Sequence, residues 1–130
     1  MYALDTNSVV FFFKGMGRVG ARLLAMRPGD VAIPSVVLYE LEVGAVLSTA
    51  PGKRREQLAA LVEVVQVLPF GEGEARTAAR VRGELEQVGS PIGPLDTLIA
   101  ATALYHGATL VTHNLREFRR VKGLKIEDWY

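Results

Sequence analysis

The chain has 130 residues, 15 basic against 14 acidic, is 49% hydrophobic and contains no cysteine. That length suits one domain, 1–130, with a sizeable core, and the missing cysteines exclude disulfides, thiolate metal sites and thiol nucleophiles. Near-neutral charge means that any nucleic-acid surface is local rather than spread over the whole molecule.

Met1 to Leu4 is short and apolar, and Asp5-Thr6-Asn7-Ser8 then supplies helix-capping types before Val9 to Phe13. This reads as strand, turn and helix, with Asp5 at the strand's carboxyl end. Asp5 there is either a helix cap alone or a functional carboxylate. No basic leader or cleavage site follows Met1, and no apolar run reaches membrane-spanning length, so a soluble cytoplasmic protein is expected.

Gly15-Met16-Gly17 breaks the first helix, Val19 to Met26 reads as a second, and Pro28-Gly29-Asp30 as a turn before a strand at Val31 to Ile33. Ser35 is the expected cap of the next helix, Val36 to about Ser48. Two carboxylates on it, Glu40 and Glu42, are flanked almost equally by apolar neighbours, and periodicity leaves open which one is held inside. Lys53-Arg54-Arg55 heads an amphipathic helix reaching about Val64, and reads as a solvated face more readily than as a phosphate contact. A short strand within Val65 to Phe70 precedes a helix from Glu72 to Val88. Its inward residues are expected to be Ala75, Ala78, Val81, Leu85 and Val88, with its arginines balancing nearby glutamates.

Ser90 to Asn114 is the most informative stretch. Gly93-Pro94 opens a helix whose core, Leu98 to Leu104, is too apolar all round for a surface position, and Gly107 after His106 closes it. Asp96 lies in its first turn, and His106 reads as a group interacting with the helix dipole. Ala108 to Val111 follows as a central parallel strand, running into Thr112-His113-Asn114. Ligands of open α/β sheets bind beyond such carboxyl ends. His113 reads as a hydrogen-bonded surface group. Leu115 to Arg120 forms a short helix, a last strand falls near Leu124 to Ile126, and Trp129 with Tyr130 covers the core's edge. Strand and helix alternate throughout, which predicts a three-layer α/β fold with a mostly parallel sheet flanked by helices.

Leu4-Asp5-Thr6-Asn7, Glu40-Leu41 with Gly44, Pro91-Ile92 with Asp96, and Leu110 to Asn114 ahead of Arg116-Glu117-Phe118 occur in that order. Together they resemble the PIN-domain ribonucleases, and the tail from Val121 to Trp129 resembles their VapC toxin branch. The resemblance implies Mg²⁺, or Mn²⁺ in its place, held by acidic residues at the strands' carboxyl ends. It matches Asp5, Glu40 and Asp96 to the family's carboxylates, which favours Glu40 over Glu42. The family's fourth acidic position falls on Asn114, an uncharged departure for which Glu117 is the candidate substitute.

The resemblance further implies an RNA substrate, a VapB-like antitoxin and a homodimer, with Phe11 to Phe13 reaching either the core or that interface. Thr6 and Thr112 are expected either to orient the carboxylates or a water or simply to satisfy local backbone groups, and Arg116, Arg119 and Arg120 to contact RNA or the antitoxin. Clustered carboxylates raise one another's pKa and need a cation to stay ionised, while oxygen-only ligation selects Mg²⁺ or Mn²⁺. The rival reading is a PIN-like binding module made inactive by Asn114. A phosphoacceptor receiver domain is disfavoured, because it requires paired acids after the first strand and a lysine after the last.

Overall fold

The computed structural model describes residues 1–130. In chain order it contains β1 (Tyr2–Leu4), α1 (Thr6–Lys14), α2 (Val19–Leu24), a 3₁₀ turn (Pro28–Asp30), β2 (Val31–Pro34), α3 (Ser35–Val46), α4 (Pro51–Val64) and β3 (Gln66–Leu68). There follow α5 (Glu72–Gln87), α6 (Pro94–Tyr105), β4 (Thr109–Val111), α7 (Leu115–Phe118) and β5 (Ile126–Glu127). The strands form one sheet in the order β3-β2-β1-β4-β5. Every neighbouring pair is parallel, and helices flank the sheet, as the alternating pattern predicts.

The strand order explains where a site can form. From β1 the chain moves outward through β2 to β3, then crosses back so that β4 lies on the other side of β1. The connections diverge between β1 and β4, leaving a crevice at the carboxyl ends of those two strands. Leu4 pairs with Val111 in this register, so Asp5 and Thr112 leave the sheet side by side. The Asp5 N–H prolongs the ladder, donating to the Val111 carbonyl at 3.0 Å.

The strands at this centre are apolar on both faces because both are covered. Ala3, Leu4, Ala32, Ile33, Leu110 and Val111 are wholly buried. The central part of α6, from Thr97 to Ala103 except Leu98, is also buried, which accounts for its lack of a polar face. Its two buried threonines return their hydroxyls to the helix: Thr97 donates to the Gly93 carbonyl at 3.0 Å and Thr102 to that of Leu98 at 2.8 Å.

Several local expectations are corrected. Ser35 is the first residue of α3 rather than its cap, Pro34 holds the cap position, and no side chain caps this helix. On α5, Ala78, Val81 and Leu85 face inward, but Ala75 is exposed and Val88 is 72% exposed, because the helix ends at Gln87 before Val88 can turn inward. The buried polar residue on that face is Glu74. The last strand is Ile126–Glu127, beginning two residues after Leu124, where the Val121 carbonyl accepts from the Leu124 N–H in a closing turn.

Gly17 fixes the carboxyl-terminal segment against α1. Its φ is +65°, and a Cβ built on it lies 2.8 Å from Tyr130 backbone atoms. Gly17→Ala therefore combines left-handed strain with a backbone clash, and should destabilise the fold by about 1–3 kcal/mol, read from urea denaturation. An unchanged unfolding midpoint would show that Tyr130 does not press on this turn.

Candidate metal centre

Asp5 is buried at the start of α1, where its Oδ1 accepts the Ser8 N–H at 2.9 Å. Its capping role and its place in the crevice are thus compatible, since capping uses one oxygen. Burial pushes its carboxyl above the usual aspartate range, opposed by hydrogen bonds from Thr112 and Ser8 and reinforced by the charge of Glu40. Ser8 is buried too, and its hydroxyl donates to the Val111 carbonyl at 3.1 Å. Ser8 therefore ties the carboxyl ends of β1 and β4 together. The sequence offered it only as one of several capping types; its spacing of three from Asp5 was the available signal.

Glu40 and Glu42 now separate. Glu42 is exposed, whereas Glu40 is half-buried on α3 and its Oε1 accepts the Thr6 hydroxyl at 2.7 Å. Thr6 thus orients one carboxylate. Thr112, wholly buried, bonds Asp5 and also accepts the Asn114 N–H at 3.0 Å through its hydroxyl oxygen.

Asp96 enters from the first turn of α6, half-buried. Its carboxyl is pushed up to about 6, first by burial and then by the charges of Glu117, Glu40 and Asp5. A helix N-terminus would favour the ionised form; here desolvation and three like charges outweigh it. The fold thus draws together Asp5, Glu40, Asp96 and Glu117 from four different elements. Glu117 lies in the first turn of α7, and its charge is the largest acting on Asp96. Asn114 precedes α7 with no side-chain capping bond.

The arginines predicted beside this centre are less concentrated. Arg116, Arg119 and Arg120 are exposed, and Arg120 donates to the Pro91 carbonyl at 3.0 Å, bracing the loop before α6. His113 is a surface group as expected, with Nδ1 2.9 Å from Asp128 Oδ2 and its ring stacked on Tyr130. Burial pushes the Asp128 carboxyl up, but the Tyr130 N–H, His113 and Arg18 outweigh it and hold the group below its usual range. His106 differs from expectation: its Nε2 lies 2.8 Å from Glu74 Oε2, so its principal partner is a buried carboxylate rather than the helix end.

All donors in this cluster are oxygens, and crowded carboxylates call for a cation. No three His, Asp or Glu side chains stand as a ready ion-holding group.

A short parallel sheet whose point of reversal collects carboxylates from β1, α3, α6 and α7 is the architecture of a PIN domain. The PIN domain model matches residues 2–124, and the chain belongs to that family. It is 36% identical over 128 residues to the tRNA(fMet)-specific endonuclease VapC of Shigella flexneri, covering 98% of this chain and 97% of that protein. Ribonuclease VapC2 of Rickettsia felis is 33% identical over 137 residues, covering 99% and 98% of the respective chains. Among solved structures, DNA-bound VapBC from Salmonella typhimurium matches with a TM-score of 0.93 at 35% identity, over 99% of this chain and 98% of that one. Its branch of the family is therefore the VapC ribonucleases. No helix is long and apolar enough to cross a membrane.

Proposed function

We propose that the chain is a divalent-metal-dependent endoribonuclease, the toxin of a toxin–antitoxin pair, hydrolysing RNA phosphodiester bonds in the crevice between β1 and β4. The observation that carries this reading is the convergence of Asp5, Glu40, Asp96 and Glu117 beyond the carboxyl ends of β1 and β4, where burial and the neighbouring charges push the Asp96 carboxyl up to about 6. Such a cluster disfavours its own ionised form until a cation joins it. Asp5 and Asp96 would hold Mg²⁺ or Mn²⁺, with Glu40 acting through water. When bound, such an ion supplies an activated water at neutral pH and stabilises charge on the reacting phosphate.

The chain's own groups prepare that position. The Ser8 N–H and Thr112 fix the Asp5 carboxylate, and Thr6 fixes Glu40, so neither must reorganise when substrate arrives. Asn114 contributes oxygen without charge, and Glu117 provides the fourth negative group.

The test is cleavage of single-stranded and structured RNA by purified protein with Mg²⁺, Mn²⁺ or EDTA, beside Asp5→Asn. Metal-dependent cutting lost in the variant supports the nuclease. RNA binding without cutting under any condition would instead leave a PIN-like binding module, with Asn114 as the departure responsible.

Two surfaces support the proposed partners. A groove of about 590 Å³ between α1, α2 and α4 is lined by Phe12, Phe13, Leu23, Leu24, Leu61 and Val64, and suits an apolar segment of a VapB-like antitoxin. On α3, Tyr39, Val43 and Val46 are exposed at spacings of four and three residues, with Leu47 exposed just beyond its end, forming an apolar stripe that a second copy of the chain would cover. Val46→Asp should convert the dimer to monomer in sedimentation velocity. A parent chain already monomeric at tens of micromolar would remove the homodimer.

A further inference from the structure

A second groove, of about 380 Å³, lies between α1, α3 and the start of α4, and Glu40 of the carboxylate cluster lines it. Its lining brings its acidic end, Thr6 and Glu40, the pair joined by the 2.7 Å hydrogen bond, together with its basic side, Lys14, Ser48 and Arg54. The lining therefore carries both signs of charge. Lys14 takes part in none of the chain's ion pairs, and neither does Arg54. Arg54 instead donates to the neutral Gln57 Oε1 at 2.8 Å, while Gln57 Nε2 donates to the Phe13 carbonyl at 3.4 Å. Gln57 thus holds the guanidinium at the groove without neutralising it. Other cations of the chain are unpaired too, among them Arg18, Arg55 and Arg116; Lys14 and Arg54 differ from these in lining the same groove as Glu40.

We infer that this groove is a binding track for single-stranded RNA, in which Lys14 and Arg54 take the phosphate flanking the one presented to the carboxylate cluster. The inference rests on the nuclease reading and adds the place where the strand leaves the centre. Two cations with a hydroxyl between the elements suit a phosphodiester, and continuity with Glu40 requires a ligand that also reaches the acidic end. An acidic peptide would satisfy the basic side, but would set carboxylates against Glu40 at the acidic end. The helix face is open for the passage: Gly44 lines the groove, and a Cβ built on it meets nothing within 4 Å.

The test is fluorescence anisotropy of a labelled single-stranded RNA oligonucleotide on the full chain carrying Asp96→Asn to prevent cutting, across a salt series. Lys14→Gln and Arg54→Gln should each weaken binding by about 3- to 10-fold near 0.1 M salt and reduce the salt slope by roughly 0.7. Gly44→Leu should weaken it at least as much by filling the track, and it replaces a helical glycine with a stronger helix former, so the fold is retained. Arg55→Gln removes the same charge from an exposed α4 position outside the groove and should leave affinity unchanged. Equal losses from Arg55→Gln and Arg54→Gln, or full affinity in Gly44→Leu, would overturn the track. So would polyglutamate binding that depends on Lys14 and Arg54 when RNA binding does not, which would assign the groove to a protein. Cleavage by the chain without Asp96→Asn separates the two claims: cutting that is indifferent to Lys14 and Arg54 removes the track alone. Binding that depends on them in a chain that never cuts removes the nuclease reading alone.

Discussion

Asp96→Asn should abolish RNA cleavage and, in the metal-free protein, make the fold more stable. The two effects have one cause. The Asp96 carboxyl moves from 3.8 to about 6 on folding, so the folded chain holds this proton more tightly than the unfolded chain does. The sign follows from linkage: relative stability from this group is greatest below about pH 3.8, falls as pH rises to about 6, and is flat beyond. At roughly 1.4 kcal/mol per pKa unit the full penalty would approach about 3 kcal/mol, and solvent screening of a half-buried group reduces it to about 1–2 kcal/mol.

Asparagine removes that charge. In EDTA the variant should therefore melt above the parent at pH 7.5 and match it near pH 4. Millimolar Mg²⁺ should reverse the order at pH 7.5, by stabilising the parent alone. Cleavage should fall at least about 100-fold, the scale associated with losing a metal-orienting or charge-stabilising group. A variant less stable than its parent in EDTA at pH 7.5 would mean that Asp96 serves the fold rather than the site.

Trp129→Ala carries the largest expected cost to the fold, about 3–5 kcal/mol in urea denaturation. Trp129 is 1% exposed, its ring lies 5.2 Å from that of Tyr2, and the Arg22 guanidinium stands 5.3 Å above it. Its indole N–H donates to Glu127 Oε1 at 2.9 Å, and Glu127 also pairs with Arg22. These contacts hold β5 against the sheet, where the Glu127 carbonyl accepts the Thr112 N–H at 2.9 Å. Thr112 in turn bonds Asp5, so loosening this edge should disturb the centre before global unfolding. Trp129→Phe keeps most of the burial and loses the indole hydrogen bond, for about 1 kcal/mol or somewhat more. A cost below about 1 kcal/mol for Trp129→Ala would show that β5 is held by its backbone ladder alone.

Local chemistry made much of this architecture readable before folding was considered. Gly93-Pro94 and Gly107 mark the ends of α6 to within a residue or two, and its wholly apolar middle implies burial on several sides. Short strands ending in Asp5 and in Thr112-His113-Asn114 mark the right edge of the sheet. Glu40 against Glu42 was different, because both have apolar neighbours along α3, whose residues are hydrophobic nearly all round. Periodicity leaves them tied and the family resemblance favours Glu40; in the fold the approach of Thr6 from α1, 34 residues away, distinguishes them.

The same limit hid the Glu74 and His106 pair, which joins α5 to the end of α6. Periodicity placed Ala75 inward because it counts apolar residues. The structure turns Glu74 inward instead, since its carboxylate finds His106 at one oxygen and the Gly71 N–H at the other. The family pattern names Glu117 as the substitute for Asn114, and its charge does act on Asp96; that α7 brings the two near each other is a tertiary step with no marker in the spacing of either residue.

The most direct measurement of the proposed centre is calorimetric titration of the metal-free chain with Mg²⁺ at pH 6, in two buffers of different ionisation enthalpy, for the parent and for Asp96→Asn. With Asp96 held at about 6, a fraction of its carboxyls is protonated at that pH and must give up the proton when a cation joins the cluster. Binding to the parent should release protons, a fraction of one per ion from Asp96, and binding to Asp96→Asn should be much weaker and release none from this position. Mg²⁺ binding of equal strength and equal proton release in both proteins, or none in either, would contradict the proposed centre.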